Sequence, residues 1–288
     1  MNKIYVKILA MVKISIITLI FILLFIPLSG AIEVTLKPDI LKQGDVLVIS
    51  ITAPDGNLQS TFMDKRLHFF KTESGNYIAL AGIDMKTTPG EYPLTLFYDN
   101  KKIFERYMKI SQASFGIQRL TLPKDKVDLT PEILKRVSIE QTRLSALWPV
   151  INEKLWKGRF IMPVNSSITS AFGMKRIINK EERSPHSGID IKADEGTPIA
   201  APNNGRVALI DDQFFGGKTI VIDHGYGIYS IFNHLSKIAV SDGQLVKRGK
   251  IIGYTGSTGR ATGPNLHWGV RLQRERINPV SLVNLEID

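Results

Sequence analysis

Fifteen of the 23 glycines fall between Gly173 and Gly269, well above the usual share of about 7%. No other feature of the chain limits its fold as tightly. The glycines alternate with strand-like runs at 205–210, 219–223, 228–232, 251–254 and 266–272, and they cluster as Gly216-Gly217, Gly225-Tyr226-Gly227 and Gly256-Ser257-Thr258-Gly259. Short extended runs broken by glycine predict tightly turned antiparallel strands, a compact all-β domain with no helix of note.

The 288 residues provide for about two domains of roughly 100–150 residues each. Between residues 32 and 112 the texture is again β, with runs at 32–36, 46–52, 77–80, 92–97 and 103–110. Turn signals recur at Asp55-Gly56, Ser74-Gly75, Pro89-Gly90 and Asp99-Asn100. This spacing predicts a small immunoglobulin-like β-sandwich. It carries no chemistry: His68 stands alone between Leu67 and Phe69. Its expected role is binding, spacing or covering.

The segment 113–162 reads as a linker containing a helix. Thr130 is an N-cap, Pro131 fits the first helical position and Glu132 suits the positive end of the dipole. Ile133, Leu134, Val137, Leu144, Leu147 and Trp148 form a helix-spaced apolar face. The expectation is a connecting helix packed on one of the domains.

The first 31 residues hold Lys3, Lys7 and Lys13, then an apolar run over 14–28 and the small residues Ser29-Gly30-Ala31. That pattern predicts an export signal cleaved after Ala31, or else an uncleaved anchor, since the run is shorter than the roughly 20 residues of a spanning helix. Either way the rest is expected outside the cytoplasm, in the periplasm or cell envelope, touching membrane only through this segment. The absence of cysteine excludes a disulfide framework, a thiol nucleophile and Cys-ligated zinc. The net charge of +10 suits an anionic polymer without singling out nucleic acid, and no nucleic-acid partner is expected.

Four of the five histidines, at 186, 224, 234 and 267, fall in residues 163–288. In Pro185-His186-Ser187-Gly188-Ile189-Asp190 the two-residue strand period puts His186, Gly188 and Asp190 on one face. In Asn265-Leu266-His267-Trp268 the same period joins Asn265 and His267 with Gly269 and Arg271, opposite Trp268. Two His and one Asp make a three-ligand zinc set with a fourth position for water. Taken alone, His-x-x-x-Asp fits equally well a half-buried pair satisfied by backbone. His224 reads as a structural residue in a turn, and Tyr229 and Trp268 as core. Lys175, Arg176 and Arg183 could meet a substrate carboxylate but read first as a solvated loop. Lys247, Arg248, Arg271, Arg274 and Arg276 read as solvated charge.

These residues resemble the lysostaphin/LytM-like zinc metallopeptidases of the M23 family, whose signature is His-x-x-x-Asp on one strand and His-x-His on another. The similarity covers roughly 165–282. It includes Ile168-Thr169-Ser170-Ala171-Phe172-Gly173, the His186–Asp190 segment, Gly196-Thr197-Pro198, Phe232-Asn233-His234-Leu235-Ser236, Gly256-Ser257-Thr258-Gly259 and Gly263-Pro264-Asn265-Leu266-His267-Trp268. The resemblance implies a C-terminal antiparallel peptidase domain of the duplicated hybrid-motif type and one zinc held by His186, Asp190 and His267. It also implies a zinc-bound water as nucleophile, and His234 stabilising the transition state from outside the metal shell. Its implied substrate is the peptide cross-links or stem peptides of bacterial peptidoglycan. This chain departs at Asn265, where the family has the histidine that assists the attacking water; an amide cannot take a proton at pH 7 but can hydrogen-bond.

That departure supports a second reading: a catalytically weak or inactive zinc-binding envelope protein that binds peptidoglycan or, with an envelope regulatory partner, activates another cell-wall hydrolase. A third comes from 196–205 and 243–249, which suggest a biotinyl or lipoyl carrier. It fails for want of a lysine at an exposed hairpin tip.

Overall fold

The computed structural model describes residues 32–124 and 127–286. The export segment expected at 1–31 lies outside them. No helix among the described residues is long and apolar enough to cross a membrane.

The front half forms two sheets. Strands Glu33–Lys37, Val46–Thr52, Tyr77–Gly82 and Phe69–Lys71 make a four-stranded antiparallel sheet. Leu41–Lys42, Lys101–Ser111, Gly90–Tyr98, Leu58–Phe62 and Lys65–Leu67 make a five-stranded one. The turn signals act as expected: Asp99 and Asn100 both adopt positive φ, 47° and 62°, in the two-residue loop of a hairpin. Strands 41–42, 58–62, 65–67 and 69–71 are additional to the five expected runs, being too short or too polar to show a period.

Alternation along the first sheet has an outcome the sequence did not suggest. Leu47, Ile49, Ile51, Ala79 and Ala81 face the second sheet and share a core with Phe62, Leu94, Leu96 and Met108. Val46, Val48, Ile78 and Leu80 point the other way, and they are buried as well. They join one continuous cluster with Trp156, Phe160, Phe172, Leu272 and Ile277 of the back half. Each fully buried Val, Leu or Ile contributes about 1.5–3 kcal/mol, so the two halves are fused by core packing. Polar ties reinforce the seam. Arg276 makes a two-pronged ion pair with Asp84, at 2.5 and 2.9 Å, and Tyr226 Oη donates to the Phe69 carbonyl at 2.5 Å.

The back half is a ten-stranded sheet whose central path runs Ile168–Ser170, Gly188–Lys192, Asn265–Leu272, Ile228–Ile238, Gly217–Gly225, Gly205–Gln213 and Leu245–Val246. The glycine-rich runs form strands as expected, several extending two or more residues beyond the expected bounds. Between the halves, Ile117–Leu120 is a strand parallel to Lys175–Ile178, an element absent from the sequence reading of the linker. The helix Pro131–Leu147 begins as expected, its Thr130 hydroxyl accepting from the Ile133 N–H at 3.4 Å. A short second helix, Pro279–Val283, is the last regular element among the described residues.

The charge readings need two corrections. Arg271 stacks over the Trp148 ring at 5.3 Å instead of standing in solvent, and burial lowers its pKa to about 10. Arg276 is the seam ion pair. Tyr229 and Trp268 are core, as expected, at 1% and 0% exposure.

His224 closes the strand Gly217–Gly225 instead of lying in the following turn, and its ring is fully buried. Nδ1 lies 2.8 Å from the Asn204 carbonyl and Nε2 3.0 Å from Ser230 Oγ. Burial lowers its pKa from 6.5 to about 4, outweighing the Asn204 contact. Between those values the unfolded ring binds a proton and the folded ring does not. Stability from the neutral ring is therefore complete above pH 6.5 and lost as pH falls towards 4. In urea unfolding of the metal-free chain, the advantage of wild type over His224→Gln should shrink by on the order of 3 kcal/mol between pH 7 and 4.

Candidate metal centre and its groove

Strands Gly188–Lys192 and Asn265–Leu272 pair antiparallel with Asp190 directly opposite His267. Cross-strand neighbours on one face lie about 4.5–5.5 Å apart at Cβ, so register alone brings this carboxylate to this imidazole. His186 precedes the first strand by two residues, its N–H donating to the Met174 carbonyl at 2.9 Å. His186 Nε2 lies 3.0 Å from Asp190 Oδ1 and 2.9 Å from His267 Nδ1, and that nitrogen lies 2.8 Å from the same oxygen. Gly188 makes the approach possible: a Cβ there would lie 2.4 Å from the Trp268 carbonyl and 2.9 Å from His267 Cε1.

The chemistry of these donors fits a divalent ion. His186 Nδ1 lies 2.9 Å from the Ala171 carbonyl, which can only accept, so Nδ1 carries the ring proton and Nε2 presents a lone pair. Facing it are a carboxylate oxygen and a second imidazole nitrogen. Burial pushes the Asp190 carboxyl up, but its close polar contacts with His186 and His267 outweigh it and hold it well below the usual carboxylate range. Burial also pushes His267 down, against its bond to Asp190. An ionised carboxylate beside neutral imidazole is the state that metal binding requires.

His234 enters by a different device. Strand Ile228–Ile238 pairs Phe232 with Ile220 and Leu235 with Lys218, leaving two residues, Asn233 and His234, against the single Thr219. The bulge sets His234 at φ +67°. Phe232 and Leu235 keep to the core while Asn233 and His234 both leave it, and Asn233 is paired with His267. His234 Nδ1 lies 2.9 Å from the Thr258 carbonyl, which fixes the proton there and leaves Nε2 as the free nitrogen. Burial first, then neighbouring His267, lowers its pKa to about 4. Its ring centroid is 6.1 Å from that of His267. Gly217 (φ +60°) allows the Thr258 loop to come this close, since a Cβ there would lie 2.3 Å from Thr258 Oγ1. Asn265 lies two residues before His267 on the same strand. Its Nδ2 donates to the Gly263 carbonyl at 2.8 Å, and its Oδ1 is buried with no partner.

The linker supplies the walls. Helix residues Val137, Glu140, Gln141 and Leu144 line one lobe beside His234 and His267. Gln118, Leu120 and Leu122 line the other beside Asp190, His234 and Asn265. Each lobe is about 240 Å³. The helix is thus more than a connector. Its Glu140, 5% exposed, accepts from Arg136 Nε at 2.7 Å and from the Phe214 N–H at 3.1 Å. Leu134, expected on the apolar face, is 53% exposed instead.

Among the loop cations, Arg183 pairs with Glu181, and Lys175 lies 3.8 Å from Glu182. Arg176 instead turns inward, with Nη2 3.3 Å from Asp190 Oδ2 and Nε donating to Gln118 Oε1 at 3.0 Å. Arg260 and Glu140 also line the groove and were missed by sequence reasoning. Glu140 stands three residues after Val137 and four before Leu144, the spacing of the apolar face itself. Arg260 directly follows the Gly256–Gly259 motif.

The fold and the site together define a β-sheet protein with a largely buried His/Asp/His group that could hold a metal ion, set in a groove. Peptidase family M23 matches residues 184–279. A crystal structure of a Pseudomonas aeruginosa protein assigned to peptidase M23 superposes with a TM-score of 0.67 at 32% identity, over 86% of this chain and 96% of that one. The chain belongs to peptidase family M23. Among curated relatives it is 35% identical over 119 residues to the DD-carboxypeptidase/endopeptidase Mpg of Neisseria meningitidis, covering 41% of this chain and 27% of that protein. It is 38% identical over 119 residues to the peptidoglycan DD-endopeptidase ShyA of Vibrio cholerae, covering 40% and 28%. The chain spans about a quarter of the length of these curated relatives at the matched segment.

Zinc added to the metal-free chain at 100 times its dissociation constant should raise unfolding stability by about 2.7 kcal/mol. His186→Ala and His267→Ala should each abolish that gain, measured by urea unfolding at pH 7.

Proposed function

We propose that this chain is an exported zinc-dependent endopeptidase that cuts peptide cross-links or stem peptides of bacterial peptidoglycan. The observation that carries this reading is the convergence of His186, Asp190 and His267 on one point, with His234 facing the same groove. The relatives named for peptidoglycan endopeptidase activity support the substrate, and the basic net charge suits an anionic wall.

In this reading His186, Asp190 and His267 hold the zinc, which when bound lowers the pKa of water and polarises the scissile carbonyl. His234 handles the proton. Neutral at pH 7, with Nδ1–H committed to Thr258, it offers the Nε2 lone pair to the attacking water and afterwards returns the proton to the leaving amine. This goes beyond the transition-state role that the family resemblance implies for it. Asn265 Oδ1 is an acceptor that takes a hydrogen bond from water or from a substrate N–H and orients it. The immunoglobulin-like front half, 32–112, acts as a brace for the peptidase half, 163–288. The linker 113–162 shapes the groove.

Asn265 also sustains the second reading, a weak or inactive envelope protein that binds peptidoglycan or activates another hydrolase. Incubating the zinc-loaded chain with purified peptidoglycan and reading new peptide termini by mass spectrometry separates the two. Zinc-dependent products absent from His186→Ala establish the endopeptidase, and no products at one bound zinc overturn it in favour of the alternative. In the active enzyme, His234→Gln should lower kcat by about 10²–10⁴-fold. Asn265→His should raise it.

A further inference from the structure

The two lobes of the groove share three side chains: Arg176, His234 and Arg260. Two guanidinium groups therefore flank the histidine nearest the candidate metal centre. The carboxylates nearby are already committed. Asp190 is engaged by His186 and His267 as well as Arg176, and Glu140 by Arg136 and the Phe214 N–H. Arg260 has no acidic partner among the described residues. Its guanidinium carbon stands over the Phe215 ring, 4.1 Å from the centroid, with its backbone N–H donating to the Phe215 carbonyl at 2.9 Å. Burial lowers its pKa, and the positive charges of Arg176 and Arg183 lower it further.

A half-buried cation with like charges for neighbours and no acid is an unbalanced charge, held over the Phe215 ring. Guanidinium matches carboxylate through two parallel hydrogen bonds, the geometry in which such a charge is best compensated. The lobes are small, so an anion between Arg176 and Arg260 belongs to a residue adjoining the bond placed at the metal centre.

We propose that Arg260, assisted by Arg176, forms a carboxylate-binding subsite that selects peptides carrying a free α-carboxylate on the residue that leaves with the amine. The inference rests on the endopeptidase reading above and specifies its substrate. A dipeptide C-terminus has such a carboxylate, and so does a cross-link made through the amine of a residue whose adjacent carboxyl is free. A bridge of uncharged glycine residues has none.

The test is calorimetric titration of the metal-free full chain with N-acetyl-D-alanyl-D-alanine and with its C-terminal amide. The free acid should bind at least about tenfold more tightly, the discrimination expected of charge-assisted hydrogen bonds. Arg260→Met, which keeps an unbranched stem on Phe215, should remove the preference by weakening the acid alone. Arg260→Lys should restore part of it. With zinc, kcat/KM for the acid should fall in Arg260→Met through a raised KM at nearly constant kcat. Equal affinities in the wild type, no binding of the acid up to millimolar concentration, or a preference that survives Arg260→Met would each overturn the subsite. Because binding is read without metal, a failure to digest peptidoglycan counts against the endopeptidase reading and leaves the result on the subsite intact.

Discussion

Three electron-rich atoms held within 3.0 Å of one another repel unless a cation or proton lies among them. Much of the back half is arranged around imposing that arrangement. Register puts Asp190 across from His267, a glycine at 188 gives the imidazole its room, and the Ala171 carbonyl fixes which nitrogen of His186 is bare. Each constraint comes from backbone, which cannot relax by changing a rotamer. The site is preorganised by the sheet, with His234 added through a single extra residue in one strand.

The pairing of these residues was legible because strand periodicity is a strict rule. The two-residue repeat put His186 with Asp190 on one face and His267 with Asn265 on another; that the two faces meet came from the resemblance, not from the repeat. The glycine clusters marked the turns for an equally local reason. The bulge at His234 could not be read by the same means, since a bulge is a departure from the period. Its trace is the polar pair Asn233-His234 between Phe232 and Leu235, visible once the strand is known. Arg176 read as a loop cation, and Arg260 was not singled out, because exposure is a tertiary property. Leu134 failed in the opposite sense: it has the spacing of a buried position, but the helix sits at the rim of the groove and buries only a narrow stripe. Strands 168–170, 175–178 and 245–246 are two to four residues long and carry no period to detect.

The linker changes the account of how the halves cooperate. A connecting helix would leave the groove to the sheet alone. Here Gln118 orients Arg176, which touches Asp190, and Glu140 secures the backbone at Phe214 beside the ring that carries Arg260. The segment between the halves thus takes part in positioning both guanidinium groups. The charge pattern of the groove belongs to the linker as well as to the motifs of the back half.

At the centre of the first sheet of the front half both faces are buried: Val46 and Val48 answer to one core, Leu47, Ile49 and Ile51 to the other. A strand of this kind is a shared boundary. A substitution that improves its fit to one half is screened against the other, so the two halves must have diverged in step. Such a pair is inherited as a unit and is a poor candidate for shuffling as separate modules among unrelated proteins.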